Sequence, residues 1–234
     1  MPRRRSKSRE QLVASAMNVF WQRGYFATSM EDLVAATGVN RASMYTDFGG
    51  KEALFLACLS AYQEQFASPA IAILLAGSDG TTETHDNGEI ATRHEVPQTP
   101  PAGLAAVEAY FDHFIRLHVR HGMPGPGCFC ANVMTEIASH HTQIRGVVEQ
   151  HLAQLCDAFY WALSVEIREQ DTDIPTPELQ ALADFLATSS QGLWSRARSL
   201  SDVDDLVRFK ETVMSLLRCR LRGRMRLQPQ NEQQ

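Results

Sequence analysis

The stretch that decides the fold covers residues 29–50 and reads SMEDLVAATGVNRASMYTDFGG. Ser29, with Asp32 three residues later, resembles a capping box and predicts a helix that starts directly after it. Gly38 ends this helix after about two turns, because glycine readily adopts the left-handed conformation of a helix C-terminus. Residues 41–48 predict a second short helix before a pair of glycines. Two short helices joined by a tight turn are typical of a helix-turn-helix.

Helical patterning continues on both sides of this stretch. Upstream, apolar residues recur at Leu12, Ala16, Val19 and Phe20, which is the spacing of an amphipathic helix. No segment shows the period-two alternation of a strand, so the predicted fold class is all-α. The further predicted helices cover residues 8–23, 51–66, 104–121, 128–139, 143–170, 178–199 and 203–222.

Charge is unevenly distributed along the chain. The net charge of −5 by itself argues against nucleic acid. However, residues 1–60 carry +3 (eight basic, five acidic), residues 61–207 carry −13 (seven basic, twenty acidic) and residues 208–234 carry +5 (seven basic, two acidic). A basic first segment suits contact with phosphate, and basic ends that are merely solvated are an equally good interpretation.

Composition and motifs narrow the class of protein. The chain has no apolar run of membrane-span length and no secretory signal, and its five cysteines do not form a disulfide framework. We therefore expect a cytoplasmic protein with free thiols and no membrane contact. It has no Ser-His-Asp spacing, HExxH motif or glycine-rich phosphate loop, so we predict that it is not an enzyme and has no cofactor.

The second short helix has the side chains that DNA contact requires. Val39 and Met44 can face a small core, which leaves polar residues on the other faces. Arginine can fork onto a guanine, and a hydroxyl can contact a base or the backbone. The side chains on polar or partly exposed faces are Asn40, Arg41, Ser43, Tyr45 and Thr46.

Two runs, FWQRGYFATSM over residues 20–30 and GVNRASMYTDFGGKEALF over residues 38–55, closely resemble the signature of TetR-family repressors. The resemblance implies an all-helical, homodimeric transcription factor that binds a palindromic DNA operator, with half-sites about one turn apart, ~34–36 Å. It places hydroxyls at the start of the second helix, side chains of the recognition helix and one lysine of the fourth helix on DNA. These DNA-binding residues are Thr28, Ser29, Asn40, Arg41, Ala42, Ser43, Tyr45, Thr46 and Lys51.

The resemblance also divides the chain into domains. Residues 1–55 are expected to form the three-helix, helix-turn-helix DNA-binding domain, and residues 56–225 a larger helical domain for effector binding and dimerisation. Within the larger domain, residues 77–103 are rich in Gly, Thr and Pro and predict a flexible loop. Residues 226–234 are expected to form a disordered tail.

The stretch GCFCANVMTE (residues 127–136) is similar to a G-C-(L/F)-x-x-N…E element of a TetR subgroup. That subgroup includes repressors that respond to N-ethylmaleimide, acrylate or copper, and in the first of these a matching cysteine senses electrophiles and oxidants. Cys128 matches it. A thiolate at a helix N-terminus has a lowered pKa, which predicts a reactive thiol. The alternative is a buried cysteine that acts as a small hydrophobic residue.

Two other effector classes remain open. All eight histidines lie between residues 85 and 151, near Cys128 and Cys130, and His and Cys are ligands of zinc and copper. Alternate residues of a helix point in different directions, so we assign no metal ligands. A neutral organic effector would instead occupy an apolar cavity between helices. The candidate effector and sensor residues are Cys128, Phe111, Phe114, Phe129, Met134, Phe159 and Trp194.

Dimerisation falls, by the same resemblance, to the last two helices, which would form a four-helix bundle between subunits. The predicted interface residues are Leu182, Leu186, Leu193, Phe209, Val213 and Leu216. The predicted function is a repressor released from its operator by a small-molecule effector or by modification of Cys128. The alternatives are a copper- or zinc-responsive repressor and a helical interaction protein that does not bind DNA.

Overall fold

The computed structural model describes residues 8–76 and 100–221, and these contain ten α-helices and no strand. The expected all-α fold is therefore confirmed. Residues 1–7, most of the predicted loop (77–99) and the predicted tail lie outside the described residues. The helices are α1 (Arg9–Arg23), α2 (Met30–Thr37), α3 (Arg41–Phe48), α4 (Lys51–Tyr62), α5 (Ser68–Leu75), α6 (Gly103–His121), α7 (Phe129–Glu136), α8 (Thr142–Glu169), α9 (Thr176–Arg196) and α10 (Asp204–Leu221).

The region after α4 differs from the prediction of one helix ending at residue 66. A π-helical segment, Gln63–Ala67, follows α4 and leads directly into α5, which was not predicted. Pro69 lies at the start of α5 and has no N–H, so the regular hydrogen-bond ladder cannot continue through it. The wider π turn before it joins the two helices. The proposed domain boundary at residues 55 and 56 falls inside α4.

The predicted helix over residues 128–139 is shorter than expected. Cys128 is the N-cap of α7, which ends at Glu136, and a 3₁₀ turn (Ala138–His140) follows before α8. The other predicted helices are present, and their ends differ from the predicted ends by three residues or fewer. The helix-turn-helix stretch thus forms as its caps predict.

One hydrophobic core joins the two ends of the chain. The ring of Phe55 in α4 packs edge to face on Phe20 of α1 at 4.9 Å and on Phe129 of α7 at 5.6 Å. Tyr62 of α4 packs on Phe129 and on Trp21 of α1 in the same way. Edge-to-face aromatic pairs stabilise a fixed relative orientation. Helices α1 and α7 are therefore held against the same face of α4.

Candidate DNA-binding surface and thiol site

The helix-turn-helix is built from local caps. The Ser29 hydroxyl accepts from the backbone N–H of Asp32 at 3.1 Å, and the Asp32 carboxylate accepts from the N–H of Ser29 at 2.8 Å. This is the predicted capping box. Gly38 ends α2 at φ 72°, and its N–H donates to the carbonyl of Val34. The side chain of Asn40 then accepts from the N–H of Ser43 at 2.9 Å and starts α3.

The exposed surface of α3 carries most of the predicted DNA contacts. Met44 is the one residue of α3 that is fully buried, and it anchors the helix to the core. Arg41 reaches back to Glu31 of α2 at 3.1 Å, and its guanidinium lies 5.8 Å from the centre of the Tyr45 ring. The predicted contacts that face solvent are Asn40, Arg41, Ala42, Tyr45 and Thr46, with Ser43 half-buried, and the acidic Asp47 is exposed beside them.

Three predicted phosphate contacts have other partners in the structure. Thr28 is only 1% exposed and its hydroxyl donates to the carbonyl of Gly24 at 2.6 Å, so its prediction as a surface phosphate ligand is corrected. Ser29 is exposed, but its hydroxyl donates to Asp32. Lys51 is half-buried, and its Nζ lies 4.2 Å from the Tyr25 ring centre. Burial lowers the pKa of Lys51.

Cys128 lies in the core at the point where α4, α7 and α8 meet. It is 2% exposed, and the hydroxyl of Tyr62 donates to its Sγ at 3.4 Å. The ring of His151 lies beside the thiol, 6% exposed, and neither of its nitrogens has a hydrogen-bond partner of normal geometry. Sequence reasoning missed Tyr62 and His151, because residues so far apart in the chain show no common motif.

The polar neighbours favour the thiolate form of Cys128. A hydrogen bond from the Cys130 thiol, together with the His151 ring and the Tyr62 hydroxyl, lowers the pKa of Cys128 well below its ordinary value, although burial acts against it. The same hydrogen bond and burial raise the pKa of Cys130 well above its ordinary value. Of the two thiols, Cys128 is therefore the one whose surroundings favour the thiolate.

The aromatic residues predicted to surround an effector pack against one another instead. Phe111, Phe114, Phe129, Phe159 and Trp194 are all buried, and the rings of Phe114 and Trp194 are 5.0 Å apart. Met134 is exposed on α7. The five rings are thus part of a packed core and Met134 lies at the surface, and their role in effector binding stays a prediction. A groove of about 510 Å³ lies elsewhere, lined by Ser68, Ile71, Ala72, Leu75, Gln154, Asp157, Ala158 and Trp161.

The predicted dimer residues divide by burial. Leu186, Leu193 and Val213 are buried in the core of the protomer, so their side chains are unavailable to a partner. Leu216 is 52% exposed. Leu182 and Phe209 are half-buried. Periodicity finds the apolar face of a helix, but it does not tell whether its own chain or a partner covers that face.

Two further observations concern metal and membrane. Within residues 8–76 and 100–221, no group of three or more His, Cys, Asp or Glu side chains is arranged to hold a metal ion. In the same part of the chain, no helix combines the length and the apolar character needed to cross a bilayer.

Comparison with known proteins identifies the class. The family model described as bacterial regulatory proteins, tetR family, matches residues 12–58, and the tetracyclin repressor-like C-terminal domain matches residues 103–213. The HTH-type transcriptional repressor ComR of Escherichia coli is 26% identical over 220 residues, which cover 89% of this chain and 88% of ComR. The chain is therefore a DNA-binding transcriptional regulator with a helix-turn-helix, and not an enzyme.

Solved structures agree with this class. The regulator CifR, in complex with 26-base-pair operator DNA, has a TM-score of 0.70 at 22% identity, covering 91% of this chain and 98% of CifR. The reduced form of Escherichia coli NemR has a TM-score of 0.66 at 18% identity, covering 89% and 94%. Because the two matched family models together cover more than half of the sequence, this chain belongs to the tetR family of bacterial regulatory proteins.

Proposed function

We propose that the protein is a homodimeric repressor that binds a palindromic double-stranded DNA operator through α3 and is released when Cys128 is modified by a small oxidant or electrophile. The observation that carries this proposal is the setting of Cys128. A buried thiol with a raised pKa is inert, whereas this one has three polar neighbours that favour its reactive form. The relatives support the DNA-binding half, since CifR is bound to operator DNA.

Burial restricts the reagent to a small molecule. Cys128 has almost no exposed surface, so a bulky electrophile cannot reach Sγ without opening the core. Once oxygen or a carbon group is added to the sulfur, it must occupy space that Tyr62 and His151 now fill. Cores of this density do not absorb extra atoms without backbone shifts. Modification therefore displaces α7 from α4 and α8, and this displacement disfavours the DNA-bound arrangement.

The subgroup resemblance of residues 127–136 supports the same proposal. The solved structure of NemR is described as its reduced form, so NemR is a regulator whose redox state is specified. In this chain, Gly127 and Cys128 lie directly before α7, and Asn132 donates from its side chain to the carbonyl of Pro126 at 2.9 Å. The Asn of the element thus holds the loop that places the thiol.

Dimer formation is assigned to exposed faces of α9 and α10. Phe185 on α9 is 49% exposed and has small exposed neighbours one and two turns away on the same side of the helix, at Thr188 and Gly192. Leu216 on α10 is the matching exposed apolar residue. Small residues beside a large apolar one let helices approach closely.

We expect Phe185→Glu to convert the dimer to a monomer in analytical ultracentrifugation at micromolar concentration, whereas Glu169→Gln leaves it intact.

The DNA-binding half is tested by selection from random duplexes. The enriched site is expected to be palindromic, with half-sites about one helical turn apart, and affinity is expected to fall steeply between 50 and 200 mM salt because phosphate contacts release counterions, roughly 10³-fold for six contacts. A non-palindromic site bound by a monomer contradicts the proposal.

The sensor half is tested by treating the operator complex with hydrogen peroxide, which is small enough for the buried site. Release from the operator is expected for the wild type and for the control Cys156→Ser, and to be lost in Cys128→Ser. Burial raises the pKa of Cys156 to about 11, which makes it a matched but unreactive thiol. Because Cys219 is exposed, peptide mass spectrometry assigns each modification. Release from Cys128→Ser at the wild-type rate overturns the sensor role.

A further inference from the structure

The far end of α7 is bonded to the DNA-binding part of the chain. Glu136, the last residue of α7, accepts two backbone hydrogen bonds from the turn between α1 and α2. Its Oε2 accepts from the N–H of Tyr25 at 3.0 Å, and its Oε1 accepts from the N–H of Phe26 at 2.9 Å. We call this pair of hydrogen bonds the Glu136 bridge. Both carboxylate oxygens are used, so the bridge fixes orientation as well as distance.

Gly24 is shaped by this contact. Its φ of +88° favours glycine, and a Cβ placed there would lie 2.5 Å from Glu136 Oε2. A side chain at this position would therefore require the Glu136 carboxylate to shift. Arg23, directly before the turn, pairs with Asp32 of α2 at 2.7 Å. This ion pair links the end of α1 to α2, which is joined to α3 by one tight turn.

The N-terminal end of α7 contacts α1 of the DNA-binding part. The indole Nε1 of Trp21, in α1, donates to the carbonyl of Gly127 at 2.9 Å in a buried contact. Gly127 directly precedes Cys128, so one hydrogen bond joins α1 to the backbone that carries the thiol. The two ends of α7 are about 12 Å apart at 1.5 Å per residue. The helix spans from the thiol to the turn.

We propose that Glu136 is a positioning residue that fixes the DNA-binding helices on α7, so that displacement of α7 at Cys128 is transmitted to α2 and α3. The bridge gives a role to Glu136, the Glu of the G-C-(L/F)-x-x-N…E pattern. The chemistry proposed for Cys128 does not involve this residue. Transmission from the thiol rests on the proposed function, whereas the bridge itself stands on the two hydrogen bonds. The carboxylate matters here, because each N–H bonds to a different oxygen, whereas an amide side chain has one acceptor oxygen and places an NH2 donor against the other N–H.

The test compares Glu136→Gln with Glu169→Gln, which changes an exposed glutamate at the end of α8. Hydrogen exchange of the Tyr25 and Phe26 amides is expected to rise at least about tenfold in Glu136→Gln only, because an open amide exchanges faster than a bonded one. The ratio of operator Kd after and before Cys128 modification is expected to fall to within about twofold of one, with the rate of Cys128 modification unchanged, as the loss of coupling between two sites requires.

A second pair of variants breaks the bridge from the other side. Gly24→Ala places a methyl group against Glu136, whereas Gly122→Ala introduces a side chain at a similar φ of +85° with nothing within 4 Å. Both substitutions strain the backbone of a helix C-terminus, and only the first affects the bridge. We expect Gly24→Ala to reproduce the exchange and the coupling loss of Glu136→Gln, and Gly122→Ala to retain wild-type coupling.

The outcomes separate the bridge from the sensor. Unchanged exchange at Tyr25 and Phe26 in Glu136→Gln overturns the bridge, and raised exchange with an unchanged Kd ratio overturns its role in transmission. If wild-type Cys128 does not react, the sensor half of the proposed function fails. The bridge is then decided by amide exchange and by operator affinity, which must differ from that of Glu169→Gln for the positioning role to hold.

Discussion

Helices α3 and α7 have the same length of eight residues and opposite surroundings. α3 has one fully buried residue, Met44, whereas α7 has five in succession, from Phe129 to Val133. The side chains of α3 are therefore left for an external partner, and its position depends on caps and a single anchor. The side chains of α7 are enclosed by the protein, and its position depends on packing. In the proposed function, α3 contacts DNA and α7 transmits the signal, and these two helices differ in burial and not in length.

The largest expected difference between the two helices is in stability. Phe129→Ala removes a ring that packs on both Phe55 and Tyr62, and such a buried truncation costs about 3–5 kcal/mol of the free energy of unfolding. Thr46→Ala on the exposed side of α3 is expected to change it by about 0.5 kcal/mol or less. Urea denaturation followed by circular dichroism measures both. Equal losses in the two variants would contradict the contrast between the helices.

For DNA affinity, we expect the larger effect from a substitution in α3 and not in α7. Arg41→Ala removes the exposed guanidinium of α3 that suits a base or phosphate contact, which is worth about 1–3 kcal/mol, or roughly 5- to 150-fold in operator Kd. Stability should hardly change, since the ion pair with Glu31 is exposed. Fluorescence anisotropy with the selected operator measures the affinity, and Arg145→Ala on α8 is the matched control. Wild-type affinity in Arg41→Ala would remove α3 from the interface.

The two helices also differ in how far sequence alone predicted them. Ser29, Asp32 and Gly38 act within a few residues of their own position, so the boundaries of the helix-turn-helix followed from local rules. The aromatic residues assigned to an effector cavity are buried and pack on one another, because spacing identifies a buried face without showing what covers it. Their part in effector binding stays a prediction. Thr28 was misassigned for a similar reason, since its hydroxyl is turned inward to a carbonyl one turn before it.

The contacts of α7 lay beyond sequence reasoning for a physical reason. Its partners are separated from it along the chain by more than sixty residues in the case of Tyr62 and by more than one hundred in the case of Tyr25. No periodic pattern connects such positions, and only the packing of α1, α4 and α8 brings them together. The motif that contains Cys128 and Glu136 was visible in the sequence. The sequence did not show that these two residues have different partners, Tyr62 for Cys128 and the turn after α1 for Glu136.

A moderate effect is expected at the thiol itself. Tyr62→Phe removes the hydroxyl that donates to Cys128 Sγ while retaining the ring, and one hydrogen bond of this kind is worth about 0.5–1.5 kcal/mol. The pKa of Cys128 should rise, so at any pH below the wild-type midpoint the rate of modification should fall roughly 2- to 10-fold, as that energy implies. The pH profile of the reaction distinguishes this from damage to the fold. A profile that keeps the wild-type midpoint would show that Tyr62 does not stabilise the thiolate.

The smallest expected effect is the pH dependence of the free energy of unfolding. It arises from histidines in the core beside α7, whereas α3 has no histidine. Burial lowers the pKa of His118 below its ordinary value of 6.5, with a further contribution from nearby His121 against the opposing effects of the Phe114 carbonyl and Cys128. The unfolded chain therefore takes up a proton at His118 before the native protein does. By linkage, the free energy of unfolding falls as pH drops below about 6.5.

The variant His118→Asn tests this pH dependence, because its amide can still donate to the Phe114 carbonyl, which now lies 2.8 Å from His118 Nδ1, but does not titrate. The difference in stability between pH 7.5 and pH 5.5 should be smaller in the variant than in the wild type. It should not vanish, since burial also lowers the pKa of His113. An identical pH dependence in the two proteins would mean that His118 can be charged in the folded state. The core around this ring would then be less tightly packed than its stacking on Trp194 indicates.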